Sequence, residues 1–175
     1  MISEIIKKNV REIQDFPKPG INFIDITPLL ANASLVKKTL DAFINQIGDD
    51  IDVICAVESR GFYWGLLIAQ ELNIPFVPVR KKGKLPGDTI AHSYDLEYGS
   101  STIEIQRGTL QAGQRVHIHD DLLATGGTVH AVAHLLQSQK VHIQGFSFLI
   151  SLNFLSGAEK IKPFSKNIIS LAEYN

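Results

Sequence analysis

The segment Asp120-Asp121-Leu122-Leu123-Ala124-Thr125-Gly126-Gly127-Thr128 joins two acids to a glycine-rich, hydroxyl-bearing loop. Its glycines let backbone N–H groups wrap a phosphate, and a helix opening there adds unpaired donors and partial positive charge. Thr125 and Thr128 contribute hydroxyl donors. Two carboxylates beside such a loop would repel a bare phosphate, but they suit a sugar phosphate whose ribose hydroxyls donate to them. A Gly-Gly pair alone would mean an ordinary helix entry after an Asp-bearing turn; the whole segment carries the chemical reading. No GxxxxGK[ST] or GxGxxG segment occurs, so nucleoside-triphosphate and dinucleotide readings have no motif behind them.

Other residues invite the same question. Arg80-Lys81-Lys82-Gly83-Lys84 gathers four of the chain's 17 Lys and Arg residues. A solvated charge run is the plain reading, but this one follows a strand and begins a polar insertion, where a departing polyanion would need neutralising. Ser59-Arg60-Gly61 lies between a strand and a helix and offers backbone N–H groups and a forked guanidinium to an anion. His130 and His134 stand four apart on one helix, but Ala131 removes the HExxH pattern and no third ligand is evident. His117 and His119, on one face of a strand, read as packing residues. Gly61 to Gly65 reads as close helix–strand packing, and Phe62, Tyr63 and Trp64 as core or subunit contacts.

The elements that must hold these groups follow from periodicity. Ile2, Ile5, Ile6, Val10 and Ile13 predict a first amphipathic helix, and Asp15 to Gly20 a stiff turn. Ser34 is the expected cap of a second helix with Leu35, Leu40, Phe43, Ile44 and Ile47 on its apolar face. Strand, helix and strand are expected over Ile51–Val57, Phe62–Leu72 and Ile74–Val79, and again over Arg115–His119, Val129–Gln137 and Val141–Ile150. Such alternation predicts an α/β fold with a parallel sheet. The acidic pair then falls at a strand's C-terminal end, where open α/β sheets bind ligands. The polar stretch from Lys81 to Gly113 holds two alternating runs, near Ile90–Tyr94 and Thr102–Gln106, that can pair as a hairpin lid.

Composition narrows the class. The chain has 175 residues, 45% of them hydrophobic, and a net charge of -1, which fits a single domain and argues against nucleic-acid binding through bulk charge. One cysteine, Cys55, excludes an internal disulfide and cysteine-cluster zinc sites. The N-terminal residues lack the apolar core of a signal peptide, and the apolar stretch from Gly61 to Ala69 is too short to span a bilayer. A soluble, cytoplasmic protein without membrane association is the expectation.

Val116 to Thr128 resembles the phosphoribosyl-pyrophosphate (PRPP) signature of type I phosphoribosyltransferases: a hydrophobic strand, two acids, then a small-Thr-Gly-Gly-Thr loop. Asp15 to Gly20, Phe23 and Asp25 to Leu30 are similar to the base-binding segment of the adenine branch. Glu58 to Phe62, Arg80 to Gly87, Ser93 to Gly99 and Glu104 to Gln106 match it too. The likeness runs from about residue 15 to residue 160. It implies a mostly parallel central sheet flanked by helices, a hood over residues 1–33 and a hairpin lid over residues 84–106.

The resemblance also implies roles. Asp120 and Asp121 would hold the ribose and Ala124, Thr125, Gly126, Gly127 and Thr128 the 5'-phosphate. Ser59, Arg60, Arg80, Lys81 and Lys84 would meet pyrophosphate, Phe23 and Ile24 the adenine, and Glu104 the base's proton. Mg²⁺ would be held mainly by the substrate, without a protein-built metal site, and the chain would form a homodimer. Ile24 stands where the family usually carries Arg, which leaves base reading there to the backbone. Another purine phosphoribosyltransferase is the nearest alternative. A PRPP-binding transcriptional regulator is a more distant one, for which the expected N-terminal helix offers no helix-turn-helix.

Overall fold

The computed structural model describes residues 1–96 and 99–175; Glu97 and Tyr98, part of the family likeness, lie outside the described residues. From the N-terminus the chain forms α1 (Ile2–Lys8), an antiparallel ribbon of β1 (Arg11–Ile13) and β2 (Phe23–Asp25), then α2 (Thr27–Leu30) and α3 (Ala33–Ile47). Next come β3 (Val53–Val57), α4 (Gly61–Glu71), β4 (Phe76–Lys81) and the hairpin of β5 (Thr89–Leu96) and β6 (Gly99–Gln106). β7 (Arg115–Leu123), α5 (Gly127–Gln137), β8 (His142–Leu152), α6 (Gly157–Ile161) and β9 (Ile168–Tyr174) follow.

One sheet of seven strands runs in the order β5-β6-β4-β3-β7-β8-β9. The five strands from β4 to β9 in that order pair in parallel, and the hairpin adds its two strands antiparallel at the β4 edge. Every residue of β3 is buried, as a parallel strand covered on both faces requires. Side chains alternate across that strand: Val53, Cys55 and Val57 join α5 and α6 in one core, while Ile54 joins Ile6, Phe43 and Trp64 of α1, α3 and α4 in the other. Trp64 is fully buried and its indole N–H donates to the Val36 carbonyl at 3.4 Å. A Cβ at Gly65 would lie 2.5 Å from that of Ala56, so α4 sits against β3 only because glycine is there, as expected.

The structure moves several sequence boundaries. The first helix stops at Lys8; Arg11 to Ile13 instead form β1, because pairing with β2 lets the Arg11 guanidinium grip Asp25 Oδ2 at 2.6 and 3.0 Å. The cap of α3 is Asn32, whose side chain accepts from the Leu35 N–H at 3.2 Å, not Ser34, which lies inside the helix. β7 continues through both acids, and α5 opens at Gly127, ahead of the expected Val129. β9 and α6 lie beyond the elements read from periodicity.

Candidate active site

β3 and β7 are neighbours in the sheet, and both end at one cleft of about 440 Å³. Glu58, Ser59 and Arg60 follow β3, Asp120 and Asp121 lie near the C-terminal end of β7, and Arg80 and Lys81 close β4; all of them line this cleft. Phe23 of β2, Tyr94 of β5 and Thr128 of α5 complete named parts of its wall. A smaller pocket of about 120 Å³ adjoins it, formed by residues from Asp120 to Val129 and dominated by the glycine loop.

The loop's shape depends on two glycines far apart in sequence. Gly126 has φ +74°, in the left-handed region, where a side chain is strained. Its missing Cβ would also sit 2.7 Å from the carbonyl oxygen of Gly157, at the start of α6, and a Cβ on Gly157 would run into the carbonyl of Ala124. The loop is thus braced from behind, leaving its N–H groups to the pocket. No charged side chain belongs to residues 124–128. On the other side of the acids, a Cβ at Gly61 would approach Asp120 Oδ1 to 2.9 Å, so α4 also begins tight against the pair.

Charge in the cleft is arranged as paired opposites. Arg60 bridges Asp121 Oδ2 at 2.8 Å, donates to the Ile24 carbonyl at 3.0 Å and lies 4.9 Å over the Phe23 ring. Arg80 donates to Glu58 Oε1 and to the Lys84 carbonyl, both at 3.0 Å, and the Lys81 N–H donates to Glu58 Oε2 at 2.9 Å. Hydrogen bonding from Arg80, opposed by burial, holds Glu58 below the usual carboxylate range. The Arg80 Nε–H is buried without a protein partner among the described residues. Burial and the charge of Asp121 push Asp120 well above the ordinary carboxylate range. Burial raises Asp121 too, against the pull of Arg60.

Three expected site residues are not brought to the cleft. Ile24 is 4% exposed and packs in the α3–α4 core, so only its backbone, already engaged by Arg60, faces the site. Lys84 is exposed and holds Arg80 through its carbonyl rather than presenting its ammonium. Glu104 is not among the residues lining the cleft and is 3% exposed. Ile103 lines the cleft, and Glu104 pairs across the ladder with Arg80 of β4. The Glu104 carboxylate accepts from the N–H groups of Gly83, Lys84 and Leu85 at 2.9, 3.1 and 3.1 Å. Although burial acts to raise it, those donors hold its titration below normal.

Sequence reasoning missed Glu58, Tyr94 and Gly157 as site residues. Glu58 follows the buried parallel strand β3 at the same end of the sheet as Asp120, which is the available signal. The Tyr94 hydroxyl meets Thr128 Oγ1 at 3.2 Å, tying the hairpin to the phosphate loop across a separation that no local pattern reveals. His117 and His119 are fully buried, as expected of packing residues, and the His119 ring bonds Ser147 Oγ at 2.8 Å.

For a divalent cation the cleft offers the carboxylates of Asp120 and Asp121, the latter already paired with Arg60, and no group of three potential protein ligands among the described residues. Mg²⁺ is commonly held through one or two carboxylates plus substrate phosphates while keeping several waters. The donor set therefore fits a cation that arrives with a phosphorylated ligand.

A phosphate cup beside two buried acids, at the C-terminal ends of parallel strands, defines a sugar-phosphate-binding α/β protein. Residues 25–169 match the family model described as the phosphoribosyl transferase domain, and the chain belongs to that family. Its relatives are adenine phosphoribosyltransferases. That of Cytophaga hutchinsonii is 47% identical over 99% of this chain and 97% of its own. The crystal structure of the Thermoanaerobacter pseudethanolicus enzyme superposes with a TM-score of 0.94 at 44% identity, covering 99% and 100% of the two chains. That of the Saccharomyces cerevisiae enzyme, complexed with an imino-altritol bisphosphate and adenine, gives 0.90 at 36% identity over 97% and 98%.

Proposed function

We propose that the protein transfers the phosphoribosyl group of 5-phospho-α-D-ribose 1-diphosphate to adenine, giving AMP and diphosphate. The observation that carries this reading is the placement of the cup at residues 124–128, the acids Asp120 and Asp121, and the cations Arg60, Arg80 and Lys81 around one cleft. A donor with a phosphate at one end and a diphosphate at the other has a partner for each end and carboxylates for the ribose between.

Breaking the bond from C1' to diphosphate develops positive charge on the sugar and negative charge on the leaving group. Asp120 and Asp121 hold the ribose hydroxyls and stabilise the first, with Arg60 paired to Asp121. Arg60, Arg80 and Lys81 receive the second, with the unpartnered Arg80 Nε as a ready donor. Mg²⁺ would be held mainly by the substrate, with the Asp120 and Asp121 carboxylates at hand, and would supply further neutralisation of diphosphate charge. Phe23 presents its ring face to the base, and Ile24 contributes backbone only. Glu104 holds the 83–85 turn that supports Arg80. The hairpin closes over the cleft through Tyr94 and excludes water from the reacting sugar.

The protein acts in this reading as a cytoplasmic homodimer; no helix of the described residues is long and apolar enough to cross a membrane. Exposed Tyr63 and Leu66 on α4 offer an apolar surface to a second subunit. The test is incubation with the donor, Mg²⁺ and each of adenine, hypoxanthine, guanine, xanthine, uracil and orotate. AMP from adenine, with the other bases idle, supports the reading. Turnover confined to another base overturns the specificity, and none with any base overturns the activity.

A further inference from the structure

Behind the hairpin lies a third concavity, of about 370 Å³, which the reaction does not use. It joins three elements: His92, Ser93 and Tyr94 from β5, His130 and His134 from α5, and Lys160 from α6. It shares only Gly127 with the phosphate cup and only Tyr94 with the main cleft. The His92 and His134 rings stack at 5.9 Å, and the His130 and His134 rings meet edge to face at 4.6 Å. The Phe164 ring packs edge to face against both, 5.3 Å from His130 and 4.9 Å from His134. The Lys160 ammonium reaches within 3.9 Å of where a Gly127 Cβ would be.

Every ionisable group on this wall is either cationic or becomes so on protonation, apart from the Tyr94 phenol, and no carboxylate lines it. None of the three imidazoles bonds a protein group among the described residues, so their N–H donors are available to a ligand. Three such groups facing one another repel when charged, and burial together with His134, Lys160 and His92 already makes His130 harder to protonate than usual. A tetrahedral oxyanion would reverse that repulsion, accepting from donors that belong to separate elements.

We propose that the pocket between β5, α5 and α6 is a second oxyanion site, taking inorganic phosphate or a phosphate monoester through His92, His130, His134 and Lys160. Because His92 and Tyr94 belong to the hairpin and the other ligands to α5 and α6, an anion bound there clamps the hairpin onto the helix that begins at the cup. Its affinity rises as pH falls through the imidazole range, since each added proton adds a charge-assisted donor.

The test uses the whole chain, inorganic phosphate at matched ionic strength, and NMR at pH 6 and pH 8. Imidazole C–H signals report the proposed site, the Gly126 and Gly127 amides report the cup, and His142, at the start of β8, serves as an internal control. Two separable transitions are expected, with the imidazole one tighter at pH 6. Replacing His134→Gln together with Lys160→Gln, both exposed side chains, should weaken the imidazole transition about tenfold, equivalent to roughly 1.4 kcal/mol, and leave the amide transition within about twofold. Imidazole signals that move only in step with the cup amides, or that respond unchanged in the double variant, overturn the second site. Neither result bears on whether adenine is the substrate, so this proposal and the reaction fail independently.

Discussion

The two ends of the cleft handle negative charge by different means. The cup at residues 124–128 has no charged side chain and relies on backbone N–H groups fixed by Gly126 against Gly157. The opposite end relies on Arg60 and Arg80, each already bound to a carboxylate, Asp121 and Glu58. The first device is preformed, and binding a phosphate there costs little rearrangement. The second is an exchange: a diphosphate must displace or share partners the cations already hold, which keeps it from binding so tightly that it cannot leave. A transferase that retains the ribose phosphate and releases diphosphate needs this asymmetry.

The preformed end should have a sharp acid limit. His117 and His119 lie in β7 directly behind the acids, and burial lowers both to about 3. Their unfolded value is near 6.5, so below it the unfolded chain binds protons that the folded chain does not. Stability is then fully present above about pH 6.5 and falls as pH drops toward 3, by about 1.4 kcal/mol per pH unit for each histidine. Denaturant titrations between pH 7 and pH 4 should show this slope, and His117→Leu should remove about half of it.

Gly126→Val attacks the same end directly. With φ at +74° and the Gly157 carbonyl in the way, the loop must deform, and kcat/KM for the donor should fall about a thousandfold through the loss of two or more charge-assisted hydrogen bonds. Asp121→Asn probes the boundary between the two ends. Its kcat should drop about a hundredfold, with a smaller change in KM, if the carboxylate acts mainly in the transition state.

At the exchanging end the effects are smaller and opposed. Arg80→Ala should weaken diphosphate binding about tenfold by removing a charged donor. Glu58→Gln should tighten it about threefold, since a partly exposed ion pair holds Arg80 with no more than about 1 kcal/mol. Calorimetric titration of both variants reads the sign. Weakening in both would mean that Glu58 positions Arg80 rather than competing for it.

The same contrast divides what the sequence could reveal. The cup and the acids are contiguous, so their chemistry reads directly from residues 120–128, and the alternating apolar runs place them at a sheet edge. The exchanging end is built by pairings such as Arg80 with Glu58, which only the folded sheet brings together. The hold of Glu104 on the 83–85 turn also depends on register, since β6 must pair with β4 to bring the two together. The Ile24 side chain belongs to the core, which leaves only its backbone for the base. Gly157 was missed because nothing local distinguishes a glycine that braces a loop from one that opens a helix.

The most direct test of the account follows diphosphate release and AMP formation together, with the donor and Mg²⁺ supplied and adenine either present or withheld. A preformed cup under a closing hairpin predicts that diphosphate appears only when adenine is present, matched one to one by AMP. Diphosphate released at a comparable rate without adenine, or none released with it, would contradict the account.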